Sequence, residues 1–255
     1  MKFFSIVAVV LALSFRLWSG VLTLEGVDFH YRLPRNLTRH TRVMVLFGGR
    51  NWSGDKTLKA YNFAALADRH SVLLISPFFR DRNYWEPEAW SGRLLKRAIG
   101  ILENRFKITP GKVYLYGYSA GGQCAALFSQ WMPERVAAWG VHACGVFPEK
   151  ITQRSGSALV TCGTEDRERF QISRDFVYRC RETGNGVVWK YFPDCGHELR
   201  PAALDIAKVW FDDLLAGRKV LCSAEDDTGK IGGDVDIEFR NPLRSEKMKE
   251  LWLGK

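Results

Sequence analysis

One serine of the chain stands in the pattern Gly-x-Ser-x-Gly, formed by Gly117-Tyr118-Ser119-Ala120-Gly121. An apolar segment precedes the pattern and a run of small residues follows it, which is typical of a sharp turn from a strand into a helix. The glycines remove side chains that would collide in such a turn. The turn aims the Ala120 N–H at the place where an oxyanion develops. We therefore predict that Ser119 is a nucleophile; the alternative is an incidental serine in a glycine-rich turn.

A serine hydroxyl becomes an effective nucleophile only when a base takes its proton, and the chain has five histidines. His197 lies between the last predicted strand and the last predicted helix, so it reaches the same sheet edge as Ser119. His142 also ends a predicted strand, but it comes earlier than the order Ser, Asp, His allows. We interpret it as a histidine of the core or behind the site. The other three, predicted to be solvated or structural, are His30, His40 and His70.

The base in turn needs a carboxylate that holds its tautomer and stabilises its charged form. Asp166 directly follows the predicted strand Ser157–Cys162 and is the candidate. Glu165 is the alternative, whereas Asp194 is too close to His197 along the same loop. The order is then Ser119, Asp166, His197, each on a loop after a strand.

A second oxyanion donor should come from the loop after the predicted strand Arg42–Phe47, which reads Gly48-Gly49-Arg50. Glycine lets the backbone approach a substrate closely. We predict the N–H of Gly49 or of Arg50 as this donor, and a plain tight turn is the alternative.

Aromatic residues are predicted around the mouth of the site, where their rings stack on sugars or phenolic acids. The alternative is that they cover the sheet edge. The predicted substrate-binding residues are Trp52, Tyr118 and Trp85, and the neighbouring candidates are Tyr84 and Trp90.

Strand and helix candidates alternate along the chain, and the strands are almost continuously apolar. This pattern predicts an α/β fold with a mainly parallel eight-stranded sheet and helices on both faces. The strand candidates are Val21–Leu24, Phe29–Leu33, Arg42–Phe47, Ser71–Phe79, Lys112–Gly117, Ala137–His142, Ser157–Cys162 and Gly186–Phe192. The helix candidates are Leu58–Arg69, Glu88–Phe106, Gly121–Gln130, Arg167–Thr183 and Ala202–Leu215.

Length and composition fit one globular domain with a tail, since the chain has 255 residues of which 46% are hydrophobic and 25% charged. The net charge of +9 comes from basic residues scattered singly, without a nucleic-acid motif. We therefore predict no nucleic-acid partner. The predicted divisions are a signal peptide at 1–19, a catalytic domain at 20–222 and a tail at 223–255.

The N-terminus has the features of an export signal. A positive start at Met1-Lys2 precedes the apolar run Phe3–Leu13, which is too short to span a bilayer as a helix. We predict a cleaved signal, a secreted or periplasmic protein, and no stable membrane insertion after cleavage. The alternatives are an N-terminal core strand or an uncleaved anchor.

Export would place the six cysteines in an oxidising compartment, so the sequence predicts disulfide bonds, with buried thiols as the alternative. No Cys-x-x-Cys pair exists, and no metal site is predicted. The tail is either an arm that packs on the domain or partly disordered. Its candidate packing residues are Ile237, Phe239, Leu251 and Trp252.

The motifs GGRN, GYSAGG, GTED and CGHE, each after a predicted strand, resemble those of the α/β-hydrolase superfamily over Phe29–Leu215. Within it the chain is similar to small secreted esterases related to polyhydroxybutyrate depolymerases, feruloyl and acetylxylan esterases, and dienelactone hydrolases. Those families often have His-Gly where this chain has Phe47-Gly48. Dienelactone hydrolases use cysteine as the nucleophile, so that activity is disfavoured. The resemblance implies ester hydrolysis through an acyl-enzyme, without metal or organic cofactor.

The segment Gly145–Gly156 is too short for a helical lid, which predicts an open site for a small-molecule or polysaccharide-linked ester. Other functions remain open. A serine peptidase of the prolyl-oligopeptidase type shares the fold, although its propeller domain is missing here. The others are a non-catalytic binding protein and an envelope protein tethered by its tail.

Overall fold

A computed structural model describes residues 19–80, 83–149, 156–184, 186–226, 229–232 and 235–254. The predicted signal peptide lies outside these ranges except for Ser19, which is the first residue of the first strand. The prediction of a short connection over Gly145–Gly156 falls partly on residues 150–155, which are also outside them.

The eight-stranded α/β sheet predicted from the sequence is confirmed. Its strands are β1 (Ser19–Leu24), β2 (Val27–Arg32), β3 (Arg42–Phe47), β4 (Val72–Pro77), β5 (Val113–Tyr118), β6 (Val136–His142), β7 (Ser157–Gly163) and β8 (Val187–Phe192). They lie in the order β1-β2-β4-β3-β5-β6-β7-β8. The hairpin β1–β2 and the β2–β4 pair are antiparallel, and every other pair is parallel. The carboxyl ends of β3 to β8 therefore share one edge of the sheet.

Helices cover both faces of this sheet. They are α1 (Gly54–Tyr61), α2 (Ala64–His70), α3 (Gly92–Arg105), α4 (Ala120–Trp131), α5 (Arg167–Glu182) and α6 (Pro201–Leu215), with a π-helical turn at Pro87–Ser91 before α3. On one face, Phe63 at the start of α2 and Phe211 of α6 pack against Tyr116 of β5. On the other, α5 packs Phe176 against Trp139 of β6. Because helices bury both faces of the sheet, its strands are almost continuously apolar in sequence.

The prediction of one helix over Leu58–Arg69 is wrong, since two helices occupy this region. Asn62 adopts a left-handed conformation with φ 52° and ends α1, and α2 begins two residues later. The Ser53 side chain caps the first helix by accepting from the Lys56 N–H, so α1 also starts earlier than expected. The apolar spacing continues across the break, because Tyr61 and Leu66 are both buried. Periodicity alone therefore did not reveal it.

The C-terminal segment is a folded part of the domain. It forms a small sheet of β9 (Cys222–Glu225), β10 (Ile231–Gly232) and β11 (Arg240–Leu243), followed by α7 (Glu246–Trp252). The Asn241 side-chain oxygen accepts from the Trp189 N–H at 2.6 Å, on the side of β8 that no strand of the large sheet occupies. Lys190 donates to the Trp252 carbonyl at 2.9 Å, and Trp252 is buried. The segment thus covers an edge strand that would otherwise expose unpaired backbone groups.

A buried ion pair ties this segment to α5. The Arg181 guanidinium lies 2.6 Å from the Asp226 carboxylate, with 5% and 1% of the two side chains exposed. The same guanidinium donates to the Asn241 side-chain oxygen at 3.0 Å and to the Glu238 carbonyl at 2.8 Å. Both charges are therefore desolvated and hydrogen-bonded, and neither partner can be removed without leaving the other uncompensated.

The prediction of disulfide bonds is wrong for this structure. All six cysteines are free thiols, and five of them are buried. The sixth, Cys222, is half-buried on β9. Burial raises the pKa of Cys144, Cys162 and Cys180 to about 12, so these thiols stay protonated at neutral pH and behave as small apolar residues.

Removing the buried cation should expose how much the C-terminal segment contributes to stability. We expect Arg181→Met to lower the free energy of unfolding by about 3–5 kcal/mol, because Asp226 is left buried and unpaired. Urea unfolding at pH 7 measures the change. Arg179→Met, at an exposed arginine of the same helix, is the matched control and should shift the value by less than about 0.5 kcal/mol. Equal stability of the two variants would contradict the prediction.

Candidate active site

Ser119 occupies the turn between β5 and α4, as the sequence pattern predicts. Its backbone has φ 56° and ψ −122°, a conformation that is strained for a residue with a side chain. The Ser119 N–H donates to the His142 carbonyl at 2.9 Å, and its carbonyl accepts from the Gln123 N–H at 3.1 Å. The strained residue is therefore held from β6 on one side and by its own helix on the other.

The glycines beside the serine are required by close approach of backbone to backbone. A Cβ at Gly117 would lie 2.0 Å from the Gly121 carbonyl oxygen. A Cβ at Gly121 would lie 2.1 Å from the Phe47 carbonyl oxygen and 2.4 Å from that of Gly48. The first turn of α4 is thus pressed against the end of β3, and only glycine fits at either position.

The structure brings the three predicted residues into one hydrogen-bonded chain. Ser119 Oγ lies 2.9 Å from His197 Nε2, and His197 Nδ1 lies 2.6 Å from Asp166 Oδ2. A carboxylate only accepts hydrogen bonds, so Nδ1 carries the proton of the neutral ring. Nε2 is then an acceptor for the serine hydroxyl. This arrangement can transfer the serine proton to the imidazole.

Asp166 is the buried carboxylate of the two candidates. Its side chain is 5% exposed, and its second oxygen accepts from the Arg169 guanidinium at 3.0 Å. The Glu165 side chain is 52% exposed and pairs with Arg167 instead. Arg169 was missed from the sequence, where the available signal was a basic residue three positions after the acid in the first turn of a helix.

The loop after β3 lies beside the serine turn. The Gly49 backbone is buried, and a Cβ there would lie 3.2 Å from the Tyr118 ring. Arg50 is exposed. Ala120 begins α4, where the first N–H groups have no partner within the helix. The predicted oxyanion donors therefore come from two segments that pack against each other.

Tyr61 is a supporting residue that the sequence did not indicate. Its hydroxyl donates to the Phe47 carbonyl at 2.6 Å and accepts from the Tyr118 N–H at 2.9 Å. The ring is fully buried, and burial raises the pKa of this phenol well above its usual value, so it remains a donor. One side chain of α1 thus joins the end of β3 to the residue before Ser119.

The three predicted substrate-binding aromatics differ in position. The Trp52 ring is partly exposed and lies 5.9 Å from the Tyr118 ring, next to Gly49. The Tyr118 ring is largely buried and stacks on His197 at 5.4 Å between ring centres. Trp85 is partly exposed and packs edge-on against Tyr84. Trp90 contacts Phe79 in the same cluster.

His142 is completely buried behind these residues. Its Nδ1 lies 2.9 Å from Thr161 Oγ1, and its Nε2 lies 2.9 Å from the Glu198 carbonyl. Burial lowers its pKa to about 4, so the ring is neutral at pH 7. The expectation of a histidine in the core or behind the site agrees with this placement.

Comparison with known proteins separates sequence likeness from fold likeness. No protein-family model and no curated protein sequence matches the chain. Solved structures do. A ferulic acid esterase superposes with a TM-score of 0.60 at 14% identity, over 77% of this chain and 95% of its own. Poly(aspartic acid) hydrolase-1 from Sphingomonas sp. KT-1 gives 0.58 at 15% identity, over 78% and 98%. An S-formylglutathione hydrolase from Agrobacterium tumefaciens gives 0.57 at 13% identity, over 78% and 92%.

This chain has the α/β-hydrolase fold. Its serine turn follows the central strand β5, and the loops after β7 and β8 carry Asp166 and His197. The α/β-hydrolase core runs through the large sheet and its six helices, and the C-terminal segment is added to the β8 side.

Two further properties concern the described residues alone. Within those ranges, none of the helices combines the length and the apolar character needed to cross a membrane. In the same part of the chain, no three His, Cys, Asp or Glu side chains are grouped so as to hold a metal ion.

The buried His142 should make the fold sensitive to acid. Its pKa falls from 6.5 to about 4 on folding, so between these pH values the unfolded chain binds a proton that the native state does not. Native stability is then lost as pH falls from 6.5 to 4, by on the order of 3 kcal/mol. We expect His142→Gln to remove this component, measured as the change in unfolding free energy between pH 7 and pH 4.

The control for this prediction is His40→Gln, at an exposed histidine, which should keep the pH dependence of the wild type. Parallel pH curves for wild type and His142→Gln would show that the buried ring does not resist protonation.

Proposed function

We propose that the protein is a serine hydrolase that cleaves carboxylic esters through an acyl-enzyme. The observation that carries the proposal is the hydrogen-bonded chain from Ser119 through His197 to Asp166. It stands on a strained strand-to-helix turn at the carboxyl edge of an α/β-hydrolase sheet, where the fold exposes a nucleophile. The names of the compared structures, two hydrolases and an esterase, agree with this class of reaction.

In the proposed reaction, Ser119 Oγ attacks the ester carbonyl while His197 Nε2 takes its proton. The tetrahedral oxyanion accepts hydrogen bonds from the Ala120 N–H and from the N–H of Gly49 or Arg50. His197 then protonates the departing alcohol, and water repeats the sequence on the acyl-enzyme. Each oxyanion donor typically contributes about 10²–10³ in rate.

Asp166 orients the imidazole in this mechanism and stabilises its charged form. Arg169 places a positive charge 3.0 Å from the second oxygen of this buried carboxylate. Arg169 lies between Asp166 and the solvent, with 35% of its side chain exposed.

The substrate we propose is a small-molecule or polysaccharide-linked ester, at an open site of a secreted or periplasmic enzyme. Accessibility of the base supports the open site, since 35% of the His197 side chain is exposed. Trp52 and Trp85 are partly exposed and offer rings for stacking on a sugar or phenolic group. No organic cofactor or metal enters the proposed chemistry.

Loss of the nucleophile is the direct test. We expect Ser119→Ala to lower kcat for p-nitrophenyl acetate and butyrate by about 10⁴–10⁶, because the substitution removes the hydroxyl that is hydrogen-bonded to His197. Circular dichroism checks that the variant is folded. Turnover that survives the substitution would place the nucleophile elsewhere, and a wild type inactive on both esters would remove the ester proposal.

The acid is tested by a matched pair of neutral amides. Asp166→Asn should lower kcat by about 10⁴, because the amide no longer fixes the tautomer of His197. Glu165→Gln, one residue earlier and paired only at the surface, should keep kcat within about twofold. Steady-state rates on p-nitrophenyl acetate decide between them, and the reverse ranking would assign the acid to Glu165.

A further inference from the structure

The loop that carries His197 has little regular structure of its own. It connects β8 to α6, and Asp194 within it has a positive φ of 53°. The proposed base nevertheless has to keep both ring nitrogens within hydrogen-bond distance of groups on other loops. A displacement of about 1 Å at such a site can cost on the order of 10² in rate. Something outside the loop must therefore fix its main chain.

Tyr118 provides one anchor. Its hydroxyl donates to the His197 carbonyl at 3.1 Å, and burial raises the pKa of this phenol, which keeps the donor proton in place. The ring stacks on the His197 ring with 25° between the planes. The residue next to the proposed nucleophile thus holds both the backbone and the ring of the proposed base.

His142 provides a second anchor at the next carbonyl. Its Nε2 lies 2.9 Å from the Glu198 carbonyl, and a carbonyl only accepts, so this nitrogen carries the proton. The ring is neutral at pH 7, so its Nδ1 carries no proton and shares the Thr161 hydroxyl with the Val141 carbonyl, which lies 3.0 Å from Thr161 Oγ1. This hydrogen-bond pattern fixes a single tautomer.

The backbone of His142 reaches the other half of the site. Its carbonyl accepts from the Ser119 N–H at 2.9 Å. The end of β6 is therefore bonded to the strained serine turn through its main chain and to the base loop through its side chain. The Tyr118 ring also stacks on the His142 ring, 5.9 Å between centres.

We propose that His142 and Tyr118 are positioning residues for His197, which they hold through two consecutive carbonyl groups of its loop. The role rests on the proposed function of Ser119 and His197. The side-chain hydrogen bonds of both residues go to groups other than the Ser119 hydroxyl and the Asp166 carboxylate, so both act through the base. Their loss should reduce kcat and leave KM nearly unchanged, because the misplaced group acts in the chemical step.

Two amides at position 142 separate positioning from packing. Asn places its polar atoms at the depth of Nδ1, so it keeps the Thr161 contact and loses the Glu198 carbonyl. Gln reaches the depth of Nε2 and can donate to that carbonyl. We expect His142→Asn to lower kcat on p-nitrophenyl acetate by about 10–100-fold with KM within about twofold, and His142→Gln to recover most of the loss.

Tyr118→Phe keeps the stacked ring and removes only the donor to the His197 carbonyl, so it remains informative if His142→Asn does not fold. We expect a kcat loss of about 10-fold. The rate of covalent labelling of Ser119 by a fluorophosphonate probe should fall in parallel, because labelling needs the base but no leaving alcohol. His70→Asn is the control and should change neither rate, because this histidine ends α2 and is bonded to Asp212 near the C-terminal end of α6.

The outcomes separate the two proposals. If Ser119→Ala is inactive while His142→Asn and Tyr118→Phe match the wild type, only the positioning role is overturned. An equal kcat loss in His142→Asn and His142→Gln, with an equally lowered Tm, assigns His142 to packing and overturns its role. Retained turnover in Ser119→Ala removes the proposed function, whatever the other variants do.

Discussion

The site depends on the direct backbone contact between the first turn of α4 and the end of β3. A Cβ on Gly121 would fall 2.1 Å from the Phe47 carbonyl oxygen, so these two segments touch with nothing between them. The backbone of Ser119 is strained because the chain must turn sharply from β5 into α4 to place the first turn of α4 in this contact. Tyr61 of α1 stabilises the contact, because its hydroxyl donates to the Phe47 carbonyl and accepts from the Tyr118 N–H. The same contact between α4 and the end of β3 sets the positions of the predicted oxyanion donors.

Support for the base comes from a different part of the molecule. His197 follows β8, which lies at the end of the large sheet and would be weakly held there. The C-terminal segment pairs with this strand through Asn241 and Lys190, and the Arg181–Asp226 pair fixes that segment to α5. Stability of the β8 side and geometry of the His197 loop are therefore linked.

The sequence predicted the relationships that follow from strand order and local pattern. Ser119, Asp166 and His197 come together because each follows a parallel strand, and parallel strands end at one edge. Relationships between distant residues were not predictable in this way. Tyr61 lies 57 residues from the N–H it accepts, and nothing in its spacing marks it as different from other core tyrosines.

Other expectations failed for equally specific reasons. The break at Asn62 was hidden because the apolar stripe runs through both helices. The cysteines suggested disulfides by count and compartment, yet a large core can bury thiols individually without cross-links. The acidic, glycine-rich start of the C-terminal segment left partial disorder open as an alternative to packing on the domain. Its Asp226 is instead one half of a buried ion pair, which composition cannot distinguish from a solvated charge.

The Arg181–Asp226–Asn241 cluster also sets an order of events during synthesis. Arg181 emerges from the ribosome 45 residues before Asp226 and 60 residues before Asn241. Until Asp226 is made, the native partner of this guanidinium is missing, and packing α5 against β8 would bury an unpaired charge. The nascent chain can form the serine turn early, but β8, the strand before the base loop, gains its partner at the sheet edge only once Asn241 has been made. A prematurely terminated chain would thus carry the proposed nucleophile on a sheet whose final strand is unsupported.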